Sequence, residues 1–253
     1  MFNHLDNMLN FVCNPVISNK KQMRYSMKQI FFLFLSSCLL IPPIVFSQVT
    51  NEAAEPSVKG PGVIDLLAGS KLDAWKVPSS HWHLEAGSIV GETGTEKLST
   101  PEWLYTKQRF NNFEFTCELK LTGDNRRNTG IYYRVNTFQF RNSFEAPSGY
   151  EFDAAATGDK LTGSVGDWYA RPSLRISADS AIINKVYNSD NWNRMTIRAR
   201  GNRLEYWING IKVMDYRDED PKGSREGVIG FQMHDGSIMK IEYRNIRVLT
   251  LAP

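Results

Sequence analysis

Cysteine is nearly absent. The chain of 253 residues has three, and only Cys117 lies beyond the N-terminal segment read below as a leader. One cysteine in the folded part excludes an internal disulfide and a multi-cysteine zinc site. Cys117 falls on the apolar side of an alternating segment, which suits a buried, inert thiol. A membrane-spanning run is also lacking. The one extended apolar stretch, Ile30 to Phe46, is cut by Pro42-Pro43, and the part before them is twelve residues long. A span needs about 20. Charge of one sign is missing too. Residues 1–47 hold four of the 30 basic and one of the 27 acidic residues, leaving 26 of each in the rest. A neutral surface argues against nucleic acid as partner. Finally, no window longer than about ten residues shows convincing 3.6-residue periodicity, and there is no internal repeat or low-complexity tract.

What is present begins with export. Met27-Lys28-Gln29 gives a basic start, Ile30 to Phe46 an apolar centre, and Val45-Phe46-Ser47 a small-residue cleavage site. That is the layout of a secretory signal peptide. It predicts a leader over 1–47, with Met27 as the working start, and a periplasmic or extracellular product with no membrane span. Leu35-Ser36-Ser37-Cys38 also fits a lipobox, so lipid anchoring through Cys38 is the alternative, although the chain stays apolar after that cysteine. Residues 48–62 are polar and rich in turn formers, and read as a linker or late-ordering arm. Residues 63–250 form one domain of ordinary size for an all-β fold.

Within it the period is two. Phe113, Phe115, Cys117, Leu119 and Leu121 share one face, and Glu114, Thr116, Glu118 and Lys120 the other. This is a half-buried strand. Asn193 to Arg200 repeats the pattern, and Leu204, Tyr206 and Ile208 form the next apolar row. Asn209-Gly210 between two such runs signals a tight hairpin, because a type I′ turn needs φ > 0 at both central residues. Further strands are expected over Val228 to His234 and Met239 to Val248, with a bulge near Asn245. Many short strands separated by Gly-rich turns predict two antiparallel sheets packed face to face.

Several segments together resemble the 3-keto-disaccharide hydrolase domain, over about Val63 to Leu249. They are Leu72-Asp73-Ala74-Trp75; Trp82 to Val90; Phe110-Asn111-Asn112-Phe113-Glu114-Phe115; and Asn128-Thr129-Gly130-Ile131-Tyr132-Tyr133-Arg134. Then come Gly149-Tyr150-Glu151-Phe152-Asp153, with Asp153 where Gln is common; Thr162-Gly163-Ser164-Val165; Asp190-Asn191-Trp192-Asn193; Gly230-Phe231-Gln232-Met233-His234; and Tyr243-Arg244-Asn245-Ile246. The resemblance implies a concanavalin A-like jelly-roll β-sandwich with a carbohydrate ligand across its concave sheet. It also implies a substrate ring bearing a ketone at C3.

Alternation then selects candidates. Gln232 and His234 share a face, as do Glu151 and Asp153, and Tyr132 and Arg134. The ketone acidifies the C2 hydrogen, so a base can remove it and the enolate can expel the C1 substituent. His234 suits the base, since its ordinary pKa is near 6.5, and Glu151 is the alternative base. Arg134, or a divalent metal ion held by Glu151 and His234, would stabilise the enolate. Gln232, Asp153 and Tyr132 are expected to bind substrate. Trp168 and Tyr169, in a Gly/Asp-rich loop, either stack on sugar or cap the sandwich. The Glu-x-Asp-x-x-Glu signature of glucanases is absent: Ala156 stands where the second Glu would be. His81 and His83 flank Trp82, with spacing that can chelate a metal or merely decorate a strand. The enzyme reading is set against a non-catalytic, lectin-like carbohydrate-binding module.

Overall fold

The computed structural model describes residues 54–69, 71–156 and 161–252. The leader and the alternative at Cys38 lie outside them. The strands are β1 (Val63–Asp65), β2 (Trp75–Lys76), β3 (Trp82–Glu85), β4 (Ser88–Glu92), β5 (Glu102–Phe110), β6 (Phe113–Gly123), β7 (Asn128–Phe140), β8 (Phe144–Ala155), β9 (Val165–Gly166) and β10 (Arg175–Ile176). One short helix, α1 (Ser180–Val186), precedes β11 (Asn193–Arg200), β12 (Arg203–Ile208), β13 (Ile211–Arg217), β14 (Gly227–Met233) and β15 (Met239–Thr250). Asp179 caps α1, its carboxylate accepting from the Ala181 amide. Among the described residues no helix is long and apolar enough to cross a membrane.

The strands form two antiparallel sheets, a jelly-roll β-sandwich. The front sheet runs β10-β9-β8-β7-β14-β5-β2. The back sheet runs β13-β12-β11-β6-β15-β4-β3, and β1 pairs with β15. Alternation in the sequence becomes layering. Phe113, Phe115, Cys117, Leu119 and Leu121 of β6 are all buried, with half-buried polar residues between them. Aromatic pairs join the sheets. Phe231 of β14 stacks on Tyr243 of β15 at 3.7 Å, and Phe152 of β8 on Tyr206 of β12 at 4.1 Å. Fully burying each such ring contributes about 1.5–3 kcal/mol, and the stacking geometry adds to this.

The Asn209-Gly210 turn is as its chemistry requires, with φ of 50° and 92°. The register of β15 shifts between Arg244 and Arg247 around Asn245, whose φ is 53°. Trp207 lies on the outer face of the back sheet yet is fully buried. Arg198 and Lys212 cover its ring at 5.1 and 5.0 Å, and both bond Glu205. Part of the expected linker is seated: Glu55 accepts from the Arg194 guanidinium and the Thr196 hydroxyl, and Val58 is buried.

Candidate active site on the front sheet

Outward-facing residues of three front strands, β7, β8 and β14, meet in a cavity of about 240 Å³. Register places them in rows. Glu151 of β8 lies opposite Gly166 on one side and Tyr132 of β7 on the other, and Tyr132 lies opposite Gly230 of β14. One step along, Asp153 pairs with Gly130. Gln232 and His234 close the floor from the β14 side. Trp168 and Tyr169 rise as a wall from the loop after β9, and Asn128 and Leu161 complete the lining. The core partners of this row, Tyr150, Phe152, Phe231 and Met233, point the opposite way into the sandwich. Seven of the eight expected residues are thus brought together: Glu151, Asp153, Tyr132, Gln232, His234, Trp168 and Tyr169.

Arg134 is the exception and corrects the sequence reading. It does not share the floor with Tyr132. The register of β7 shifts between Tyr133 and Asn136, and Arg134 sits in the left-handed region at φ 53°. This bulge ends the two-residue alternation. Its side chain is fully buried and donates to the carbonyl oxygens of Asn111 and Gly201 and to Asn112 Oδ1, at 2.8, 2.6 and 3.3 Å. Arg134 therefore ties two turns together, and no ion pair joins it to Glu151. Glycines on both flanking strands make room for the bulge. A Cβ at Gly149 would lie 2.9 Å from the Arg134 carbonyl oxygen, and one at Gly227 would collide with the Arg134–Val135 peptide.

Glu151 is the most constrained group in the cavity. It is 2% exposed. Burial pushes its pKa up to about 8, against the pull of hydrogen bonds from Tyr132, Trp168 and Asp153. The Tyr132 hydroxyl in turn accepts from Gln232 Nε2 at 3.2 Å. One Glu151 oxygen, Oε1, has no hydrogen-bond partner in the protein. A buried carboxyl in this setting keeps its proton at neutral pH.

His234 is half exposed at the rim, and its Nδ1 lies 2.8 Å from the Asp235 carbonyl oxygen. A carbonyl can only accept, so Nδ1 is the donor in this contact, and Nε2 is the acceptor in the corresponding tautomer. His81 and His83 form no chelating pair. His81 faces Glu102 and Ser79, while His83 faces Glu92. Among the described residues no group of three or more His, Cys, Asp or Glu is arranged to hold a metal ion. The expected divalent ion does not fit this donor set.

The alternation rule missed Asn128 and Gly130, which share a face with Tyr132. Gly130 supplies the room for Glu151: a Cβ there would collide with Oε1 and lie 2.5 Å from Cγ and Cδ. Gly130→Ala is expected to displace the carboxyl and cost about 1–3 kcal/mol. The doubly substituted Gly130→Ala/Glu151→Ala chain should recover part of that loss relative to additivity. Thermal denaturation of the four chains in the cycle checks this, and full additivity would refute the contact.

Fold and site together define a jelly-roll β-sandwich with a cavity on its front sheet. The sequence profile of the 3-keto-alpha-glucoside-1,2-lyase-like domain matches residues 62–249, and the chain belongs to that family. Among solved structures, a candidate glycosyl hydrolase of Parabacteroides distasonis is similar with a TM-score of 0.56 and 20% identity, covering 76% of this chain and 95% of that one. A non-specific endo-β-1,3(4)-glucanase from family GH16 follows at 0.52 and 11%, covering 78% and 94%. The exoplasmic/lumenal domain of VIP36, bound to calcium and Man3GlcNAc, matches at 0.52 and 12%, covering 73% and 86%. At these identities the shared property is the fold. No curated protein matches at a significant level.

Proposed function

We propose that this protein is an exported enzyme that cleaves the glycosidic bond of 3-keto-glycosides by elimination. The observation that carries the reading is a buried Glu151 and a rim His234 lining one cavity, with His234 Nδ1 held against the Asp235 carbonyl oxygen. In this scheme His234 Nε2 takes the C2 proton, which the C3 ketone has made acidic. The electron pair moves into the C2–C3 bond and the negative charge onto the ketone oxygen. Collapse of that enolate forms the C1–C2 double bond as the C1–O bond breaks. Glu151 delivers its proton to the departing oxygen. Water added back across the double bond gives net hydrolysis. Gln232 and Asn128 offer amide donors along the floor, and Trp168 and Tyr169 present rings to the apolar face of a sugar.

General acid–base groups of this kind contribute about 10²–10⁴-fold each. The first test measures release of aglycone from a 3-keto-glucoside and from its unoxidised parent, with wild type and His234→Ala. The expected result is release from the keto form alone, reduced by about 10²-fold or more in the variant. Equal release from the parent would sink the elimination route. Binding of either sugar without any turnover would instead favour a carbohydrate-binding module.

A further inference from the structure

The front sheet is not open along its length. Past the bulge at Arg134, β7 and β8 continue as a hairpin to Phe140 and Phe144, whose tip holds Arg141 and Asn142 in the left-handed region. Phe144 stacks on Trp103 of β5, centroids 5.8 Å apart and planes within 28°. Since β14 lies between β7 and β5, the hairpin must fold across the front of the sheet to make this contact. Tyr169 arrives from the opposite side, on the loop after β9. Its ring meets Trp103, Phe140 and Phe144 edge-on at 5.7, 5.3 and 5.6 Å. Segments from both halves of the sheet thus touch above it. Val135 and Trp103 are buried beneath them, although both belong to the cluster on the sheet's front. The Trp103 indole N–H and the Tyr105 hydroxyl are likewise covered and without hydrogen-bond partners. Tyr169 also lines the cavity, so the same ring serves as cavity wall and as bridge.

Resting on the elimination reading above, we propose that Phe140, Phe144 and Tyr169 form an aromatic clasp that limits the cavity to one terminal sugar ring and excludes rings substituted on both sides. The volume agrees: about 240 Å³ is below the roughly 300–1,000 Å³ of sites that enclose drug-sized ligands. An internal ring of a chain needs an exit at each end, and Tyr169 sets the clasp against one wall of the cavity. Discrimination here is steric exclusion rather than stronger attraction.

Two probes separate the possibilities: methyl 3-keto-α-glucoside, and the same compound carrying a further glucosyl unit on O4. Binding is measured by titration calorimetry and turnover by aglycone release, for wild type, Phe140→Ala and Phe140→Ala/Phe144→Ala, with folding checked by circular dichroism. The milder single variant serves if the double one does not fold. Wild type should prefer the unsubstituted ring by about 10–200-fold, the range that pocket shape supplies, and loosening the clasp should shrink that ratio. Equal binding of both probes by wild type overturns the proposal. So does a ratio unchanged in a folded variant, and so does binding of neither probe. Discriminating binding without turnover would leave the clasp standing and reject the elimination chemistry.

Discussion

Glu151→Gln is expected to lower turnover by about 10²–10⁴-fold while the protein stays folded. The amide keeps the shape and the acceptor oxygen but cannot deliver a proton. The pH dependence carries the sharper signature. The folded-state pKa of Glu151 is raised to about 8 by burial, above the ordinary value near 4.3. The unfolded chain therefore releases this proton first as pH rises. Stability tied to Glu151 is fully present below about pH 4 and is lost progressively as pH rises to about 8. Each tenfold difference in proton affinity corresponds to about 1.4 kcal/mol. The Gln variant has no such proton to lose, so its stability relative to wild type should grow across that window. Wild-type activity should fall as pH passes about 8, where the acid becomes a carboxylate. Denaturant titrations at pH 4.5, 6 and 8 check the first claim, and a pH–rate profile the second. Parallel stability curves for the two proteins would mean that Glu151 is not a buried acid.

The second large effect concerns a residue that leaves the chemistry untouched. Arg134→Met should cost roughly 2–4 kcal/mol, because three charge-assisted bonds are lost and water at the exposed turns restores only part of them. For a domain of about 200 residues that lowers Tm by roughly 4–16 °C. Turnover per folded molecule should stay at the wild-type level. A Tm that holds while turnover collapses would return Arg134 to the catalytic machinery and refute its assignment as a tie between turns.

The contrast between these two residues shows what a linear pattern can reveal. Glu151, Asp153, Gln232 and His234 were legible because β8 and β14 keep strict alternation through the site, so parity alone decides which side chains face outward. The same rule put Arg134 beside Tyr132 and failed, because a bulge reverses parity and nothing in Tyr132-Tyr133-Arg134-Val135 announces one. The two glycines that permit it, Gly149 and Gly227, are distant in sequence and meet the bulge from opposite sides only in the sheet. Alternation with Tyr206 and Ile208 sets Trp207 on the outer face, but its cover by Arg198 and Lys212 depends on three strands meeting. The clasp was illegible for the same reason: Phe144 and Trp103 are neighbours only because a long hairpin folds over a strand. The loop position of Trp168-Tyr169 could be read from its Gly/Asp-rich surroundings, and sugar stacking was one of the two roles that left open; the contact of Tyr169 with Trp103 could not be read. The resemblance to a known family supplied the proposed substrate class, which no spacing of residues contains.

One buried atom makes the domain its own clock. The Cys117 thiol sits in the middle of the sandwich, 1% exposed, with burial pushing its pKa well up. A reagent that attacks thiolates meets no target while the sheets stay closed. Labelling then counts openings of the structure, and its rate reads the free energy of opening or the unfolding rate according to reagent concentration. With residues 1–47 removed, no other sulfhydryl competes. A sugar that stabilises the closed sandwich would slow that clock, so occupancy of the cavity can be timed from the far side of the core without a labelled ligand.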